Sequence, residues 1–336
     1  MNRIASSQIS VVVQGPIVGK PSDAAEKQIT RAVLKSVRQH LPQAEIILST
    51  WAGSDVAGLD FDLLVENEDP GAIPFFPGNP QPNNANRLIF STREGLQKTS
   101  RPYALKLRSD LILTGDGFLD YFGKFSARSS EWKIARERVL ACTLYARDVR
   151  YVKLPFHPSD WFFFGHVEDV KEIWDVSLMP EPENTRWFEN HPKPPELQKD
   201  KRTLLRFYPE QHIWINYLRR HGKIDCEHFA DVSGQNVHLT ELTFANNLVL
   251  LEPEQLCIRW ARLPIPFGEW VTLYTHGDWL WFYKRYCDAR FDFAFVKAAV
   301  VACALTFLRY FHRAMFIVVF MVERKIEWFF RRFSQP

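Results

Sequence analysis

The sequence predicts an α/β fold built on an open sheet, with a helical extension at its C-terminus. Three observations carry this reading. The chain opens as strand, helix, strand, strand with short links, the usual start of such a sheet. A buried-type strand over Tyr103–Leu113 follows one helix later, with a charged cluster at its centre. From Phe295 to Phe330 the chain is strongly apolar and free of Pro and Gly.

Composition sets the outer bounds. At 336 residues, 46% hydrophobic and 14% aromatic, the chain can build a large core in one or two domains. A net charge of +3 and the lack of a basic repeat or stacking-aromatic motif argue against nucleic acid as a partner. The five cysteines are scattered and show no C-x-x-C spacing, which points to reduced thiols in a cytosolic setting and gives no zinc motif. Residues Met1 to Ser10 contain no apolar stretch of signal-peptide type.

Ile9–Ile17 is a β-branched run stopped by Gly15-Pro16, as expected of a buried parallel strand. Thr30 serves as an N-cap for a helix through His40, which Pro42 ends. Glu45–Trp51 and Phe61–Glu66 are the next strands. From Asp69 to Asn84 a Pro/Gly/Asn-rich loop is long enough to be a lid or binding loop. Asn86–Gln97 reads as a helix with Arg87 in its first turn.

Further strands are expected over Glu137–Leu144 and in the aromatic run ending at Gly165. Val167–Trp174 reads as a helix, Met179–Asp200 as an exposed loop, and Pro209 to about Arg220 as a helix with Pro near its first position. His238 falls in a short polar stretch before a less regular aromatic region. In the C-terminal segment Arg309, His312 and Arg313 split two apolar runs, so neither reaches the ~20 residues a membrane span requires. Its charged residues cluster on about half the helix circumference, and Trp328–Phe333 form an aromatic-basic end. This favours a helix or helical pair lying on an anionic membrane surface over one packed in a domain or dimer.

The charged cluster is the natural site. Lys106, Arg108 and Asp110 are two apart, so along a strand they share one face. Such charges are costly to bury without partners. A phosphate would pair with the cations and a divalent metal with Asp110; a mutual ion pair at a strand end is the equally weighted alternative.

At this point the residues resemble a family. Ser10–Ile17, Leu41–Trp51, Asn86-Arg87, Lys106–Asp110, Ser159–Gly165 and Pro209–Gln211, in this order over roughly the first two-thirds of the chain, are similar to the WavE lipopolysaccharide-synthesis family. The resemblance implies a Rossmann-like glycosyltransferase of GT-A type, moving a sugar from a nucleotide-sugar to a lipopolysaccharide or other surface-glycan acceptor. Residues 1–250 would form the catalytic domain, 251–290 an aromatic-rich connection and 291–336 a membrane-associating helical segment. The expected location is cytoplasmic, peripheral on the inner face of the cell membrane, where glycan or lipid-linked acceptors lie.

Such folds carry an Asp-x-Asp that holds Mn or Mg. Here Arg108-Ser109-Asp110 keeps only the second carboxylate, so Asp110 would bind the metal with help, or Lys106 and Arg108 would partly replace it. His238 is the candidate second ligand. Gln14, Gly15, Asn84, Arg87, Lys106 and Arg108 are the donor-binding candidates, at or near strand carboxyl ends where nucleotides lie. For Arg87 the competing reading is a surface salt bridge. Glu210 is expected to be the catalytic base, with Asp160 as the alternative or as acceptor ligand and Trp161 as a sugar-binding surface. A cap or turn carboxylate is the plain alternative for both acids. Two competing functions stand beside this one: an inactive membrane-associated scaffold, and a nucleotidyl or phosphoryl transferase, against which the missing Gly-rich phosphate loop speaks.

Overall fold

In the computed structural model, residues 3–74, 82–198, 203–261 and 269–333 are described, with residues 316–333 as helix backbone. The chain folds as a Rossmann-like α/β domain with a long apolar C-terminal helix. Its first half is β1 (Ile9–Gln14), α1 (Ile29–His40), β2 (Glu45–Trp51), β3 (Leu63–Asn67), β4 (Ile73–Pro74), β5 (Pro82–Asn83), α2 (Ala85–Gln97), β6 (Tyr103–Arg108) and β7 (Leu111–Leu113). Then come β8 (Val139–Cys142), α3 (Val149–Val152), β9 (Phe162–His166), α4 (Val167–Trp174), α5 (Trp187–Asn190), α6 (Pro209–Arg220) and α7 (Asn236–Asn247). The chain ends in β10 (Leu248–Leu251), β11 (Ile258–Trp260), α8 (His276–Tyr286) and α9 (Phe293–Phe333).

Seven strands form one sheet in the order β10-β8-β9-β6-β1-β2-β3. β1 is parallel to β2 and β6, β2 to β3, and β8 to β10. β9 alone runs antiparallel, between β6 and β8. All six side chains of β1 are buried, as its unbroken β-branched run requires of a strand covered on both faces. Helix α2 lies very close to the sheet at Gly95. A Cβ there would meet Val12 Cγ1 at 2.5 Å and Ser49 Cβ at 3.0 Å.

Several expectations are corrected. The charged strand stops at Arg108; Ser109 and Asp110 form a turn, and β7 leaves to pair with β11. Thr30 is not a cap, since α1 starts at Ile29. Its Oγ1 accepts from the Val18 N–H at 2.8 Å and donates to the Ser109 carbonyl at 3.2 Å, tying two loops together. Residues 179–198 are not simply exposed. Phe188 packs with Leu205, Phe229 and Ala230 in a small core of its own, and Asn184 and Thr185 are buried. The polar stretch at His238 is part of α7, whose Thr240, Thr243, Asn246 and Asn247 are buried with their side chains hydrogen-bonded to the protein.

The expected division at residue 250 falls inside β10, and the following segment supplies β11 to a ladder with β7. Of the two forms expected for the segment after it, a helix or a helical pair, it takes the first, one helix. Its stretch Phe293–Met315 is, by length and composition, long and apolar enough to cross a membrane. The side chains of the Trp328–Phe333 end, and residues 75–81 of the loop after Asp69, lie outside the described residues.

The close approach at Gly95 yields a direct expectation. Gly95→Ala must displace the Val12 side chain and push α2 off the sheet, which costs about 1–3 kcal/mol as overpacking does. Urea unfolding reads this as a lower midpoint with an unchanged slope; an unaltered midpoint would mean that the α2–sheet contact yields freely.

Candidate active site

The sheet brings its chemistry to one edge. β1 and β6 run parallel with Gln14 opposite Arg108, so both strands end at the same level. β9 is antiparallel to β6 with Phe162 opposite Leu107, so its entry residues Asp160 and Trp161 reach that same edge. Tyr145 follows the end of β8, and Trp260 ends β11. The N-terminus of α6 adds Glu210. Together these walls enclose a cavity of about 730 Å³, large enough for a nucleotide with an attached sugar.

The turn after β1 needs its glycine. Gly15 sits at φ +120°, and a Cβ would come within 3.0 Å of Ser109 Oγ. Ser109 fastens this turn to the end of β6, donating its N–H to the Gln14 carbonyl and its hydroxyl to the Pro16 carbonyl at 2.7 Å. The Gln14 side chain accepts from Ser91 of α2 at 2.9 Å.

Two arginines face the cavity, each held by an aspartate. Arg108 donates to both carboxylate oxygens of Asp110, at 2.9 and 3.0 Å, and its guanidinium lies 4.8 Å over the Trp161 ring. Arg87 grips Asp69 at 2.7 and 2.5 Å and also donates to Asn84 Oδ1 at 3.0 Å. That grip holds the Asp69 carboxyl below the usual carboxylate range. Asp110 is 3% exposed in its side chain, whereas Asp69 is 37% exposed, so the Arg108 pair is the more sheltered of the two.

The cavity also holds two acids, Asp160 and Glu210, whose charges reach the Arg108 guanidinium. Glu210 keeps 19% of its side chain open, and burial, helped by the charge of Asp160, pushes its carboxyl up to about 8. His157 Nε2 lies 3.6 Å from Glu210, but burial and then Arg147 push this imidazole down to about 3, so it stands there neutral. The contact is therefore not an ion pair at neutral pH.

Nine of the eleven residues picked from the sequence line this cavity: Gln14, Gly15, Asn84, Arg87, Arg108, Asp110, Asp160, Trp161 and Glu210. Lys106 and His238 do not. Lys106 is fully buried beneath it; its ammonium lies 4.8 Å over the Trp174 ring and donates to the Asp160 carbonyl. Burial pushes it down to about 7. It therefore positions the Asp160 backbone, and the expectation that it binds donor is corrected. His238 lies on α7 with its ring edge-on to Tyr286 at 5.1 Å, so the second metal ligand is also corrected. Trp161 is 4% exposed, covered by Arg108 and by Trp260 at 5.0 Å. The half-buried Tyr145 and Trp260 carry the aromatic surface of the cavity beside it.

Asp110, the residue expected to hold a metal, is engaged by neighbouring side chains. Both Asp110 oxygens accept from Arg108, and Trp260 Nε1 approaches one of them at 3.4 Å. Among the described residues no group of three His, Cys, Asp or Glu side chains is placed to hold an ion. Sequence reasoning missed Asp69, Tyr145 and Trp260 as lining residues. In the sequence Asp69 reads only as a loop start, and the last two come from segments whose pairing partners lie far away in the chain.

Solved structures resemble the chain only loosely. A cytidylyltransferase from Leptospira borgpetersenii is 9% identical with a TM-score of 0.31, covering 57% of this chain and 71% of its own. TarS of S. aureus is 11% identical, also at 0.31, covering 62% of this chain and 33% of its own. HddC from Yersinia pseudotuberculosis is 11% identical at 0.26, covering 48% and 78%. No curated protein matches the sequence. The sequence model of WavE lipopolysaccharide synthesis, by contrast, matches residues 9–311, which extends past the two-thirds of the chain that carried the resemblance and takes in the first part of α9. The chain belongs to the WavE lipopolysaccharide synthesis family.

Proposed function

We propose that this protein is a glycosyltransferase of GT-A type that moves a sugar from a nucleotide-sugar to a lipid-linked surface-glycan acceptor, working from the cytoplasmic face of the membrane. The observation that carries this is the cavity at the strand carboxyl edge, lined both by guanidinium groups and by a proton-holding carboxyl. Nucleotides lie at this edge of doubly wound sheets. Membership of a family named for lipopolysaccharide synthesis supports the acceptor class.

In this reading the donor diphosphate meets arginine. It competes with Asp110 for the Arg108 guanidinium and with Asp69 for Arg87, since bidentate pairing suits phosphate as well as carboxylate. The acceptor hydroxyl attacks the anomeric carbon. The new bond is oxygen to carbon, the broken bond is anomeric carbon to phosphate oxygen, and the nucleoside diphosphate leaves with the electron pair. The hydroxyl proton passes to the Glu210 carboxylate. Asp160 sits beside Glu210, held in place through the Lys106 bond to its backbone, and its charge strengthens Glu210 as a base.

Calorimetric titration with UDP-, GDP-, CMP- and ADP-linked nucleotides, with and without Mn, tests the donor site. One nucleotide class is expected to bind without added metal. Arg108→Ala should weaken it about 10–100-fold, the worth of a charge-assisted bidentate pair, and the more exposed Arg87 less. Binding that requires Mn and disappears in Asp110→Asn would return Asp110 to the metal role. Failure of every nucleotide to bind would favour the scaffold alternative.

The pH dependence carries its own sign. A base pushed up to about 8 is protonated below that pH, so kcat/KM should rise with pH and level off near there. Glu210→Gln should lower kcat by about 10²–10⁴ while sparing nucleotide binding. Asp160→Asn removes a neighbouring negative charge, so the rising limb should move to lower pH. A limb that stays in place in Asp160→Asn would separate Glu210 from the titrating group.

A further inference from the structure

The two sides of α9 are sharply different. Ala298, Ala302 and Arg309 face the domain and are buried. Here α9 packs on α8 so closely that a Cβ on Gly277 would meet Val301 Cγ1 at 2.8 Å. On the opposite side Phe293, Val296, Val300, Phe307, Phe311 and Met315 recur at helical spacing and are exposed, Phe293 by 84% and Phe307 by 69%. Arg309 does not break up this outer face. It is 3% exposed and turned inward, donating to both oxygens of Asp278 at 2.8 and 2.7 Å and to the Leu273 carbonyl at 2.7 Å, with Asp148 3.1 Å away. Arg313, one turn on, lies 5.8 Å over the Tyr151 ring of α3.

We propose that the outer face of α9 is a bilayer-docking surface, and that the helix lies in the plane of an anionic membrane with the catalytic domain seated on its other side. This deepens the membrane part of the proposed function. Spanning is opposed by geometry. The domain contacts the helix from residue 298 to residue 313, so crossing a bilayer along this segment would carry α8 and the Asp148–Asp278–Arg309 cluster into hydrocarbon. Lying in plane leaves those charges where they are paired and buries only apolar side chains.

Charge favours a membrane over a second copy of the chain. Lys297 is exposed on the outer side of the helix, and Arg285 is exposed at the end of α8. The neighbouring acids Asp288 and Asp292 are taken up by Lys284 and Arg290. Two copies meeting face to face would bring like charges together, whereas anionic headgroups pair with them.

The test uses the full chain and vesicles, with no donor or acceptor, so it stands or falls separately from the transferase reading. Sedimentation with phosphatidylglycerol-containing vesicles is expected, with weaker binding to phosphatidylcholine alone. The double variant Phe307→Asp/Phe311→Asp should lower the bound fraction at least tenfold without changing thermal unfolding, because neither ring packs on the domain. Bimane attached to single cysteines at positions 296, 300, 307 and 311, in a background with Cys303→Ser, then reports depth through nitroxide-labelled lipids. An in-plane helix gives one shallow depth at all four sites. Depth changing steadily, by about 22 Å from 296 to 311 at 1.5 Å per residue, would show a span and overturn the proposal. So would a lack of vesicle binding, or a stable lipid-free dimer that shields the four labels.

Discussion

The direction of β9 is the constraint on which the site depends. In a wholly parallel sheet, the residue before a strand lies at the opposite edge from the residues that end its neighbours. Here β9 is antiparallel between β6 and β8, so its entry lies beside the exits of β1 and β6. That reversal puts Asp160 and Trp161 next to Arg108 and Gln14, residues distant in sequence. The buried ammonium of Lys106 then fixes the arrangement by donating to the Asp160 carbonyl across the β6–β9 pair. Burial of an ammonium is costly, and its contact with Trp174 and this carbonyl partly offset the loss of water.

The cavity as it stands keeps its charges in pairs. Arg108 with Asp110, in a sheltered position, and Arg87 with Asp69, at a half-exposed one, are each bidentate. Carboxylates in those places hold the guanidinium forks in position for a planar or tetrahedral oxyanion of similar spacing. The metal-binding appearance of Arg108-Ser109-Asp110 and its arginine-pairing reality thus have one source: a carboxylate one turn beyond a strand end. The geometry of that turn selects the pair, since it brings both Asp110 oxygens onto Arg108.

Much of this was legible because local rules applied without competition. β1 and β2 are continuous apolar runs, and α4 and α6 begin and end where their sequences say. The turn at Gly15-Pro16 and the acids at Asp160 and Glu210 were recognisable by residue type and position, and all reach the cavity. Lys106 was misread because strand alternation states which face a side chain takes, not how deep that face lies. Helix α7 escaped because its buried side is rich in Thr and Asn bonded to the protein, so no apolar periodicity reveals it. Trp260 reaches the site through the β7–β11 pairing, in which Leu111 meets Trp260 from far along the chain and which no local pattern encodes.

The same limit explains Arg309. In sequence it interrupts an apolar run, and an uncompensated charge there argues against a membrane span. In the fold it completes a buried cluster with Asp148 and Asp278. Its removal would leave two acids buried without their cation, the costly half of a broken ion pair. The cluster also reaches the cavity wall. Asp148 is followed by α3 and preceded by Arg147, whose backbone pairs with Leu273, the residue whose carbonyl Arg309 holds. Ala146 accepts from the Tyr274 N–H at 2.8 Å, and Tyr145, held at φ +64°, lines the cavity beside Trp161. The helix that presents its apolar face outward is therefore fastened, through one arginine, to the segment that shapes the candidate active site.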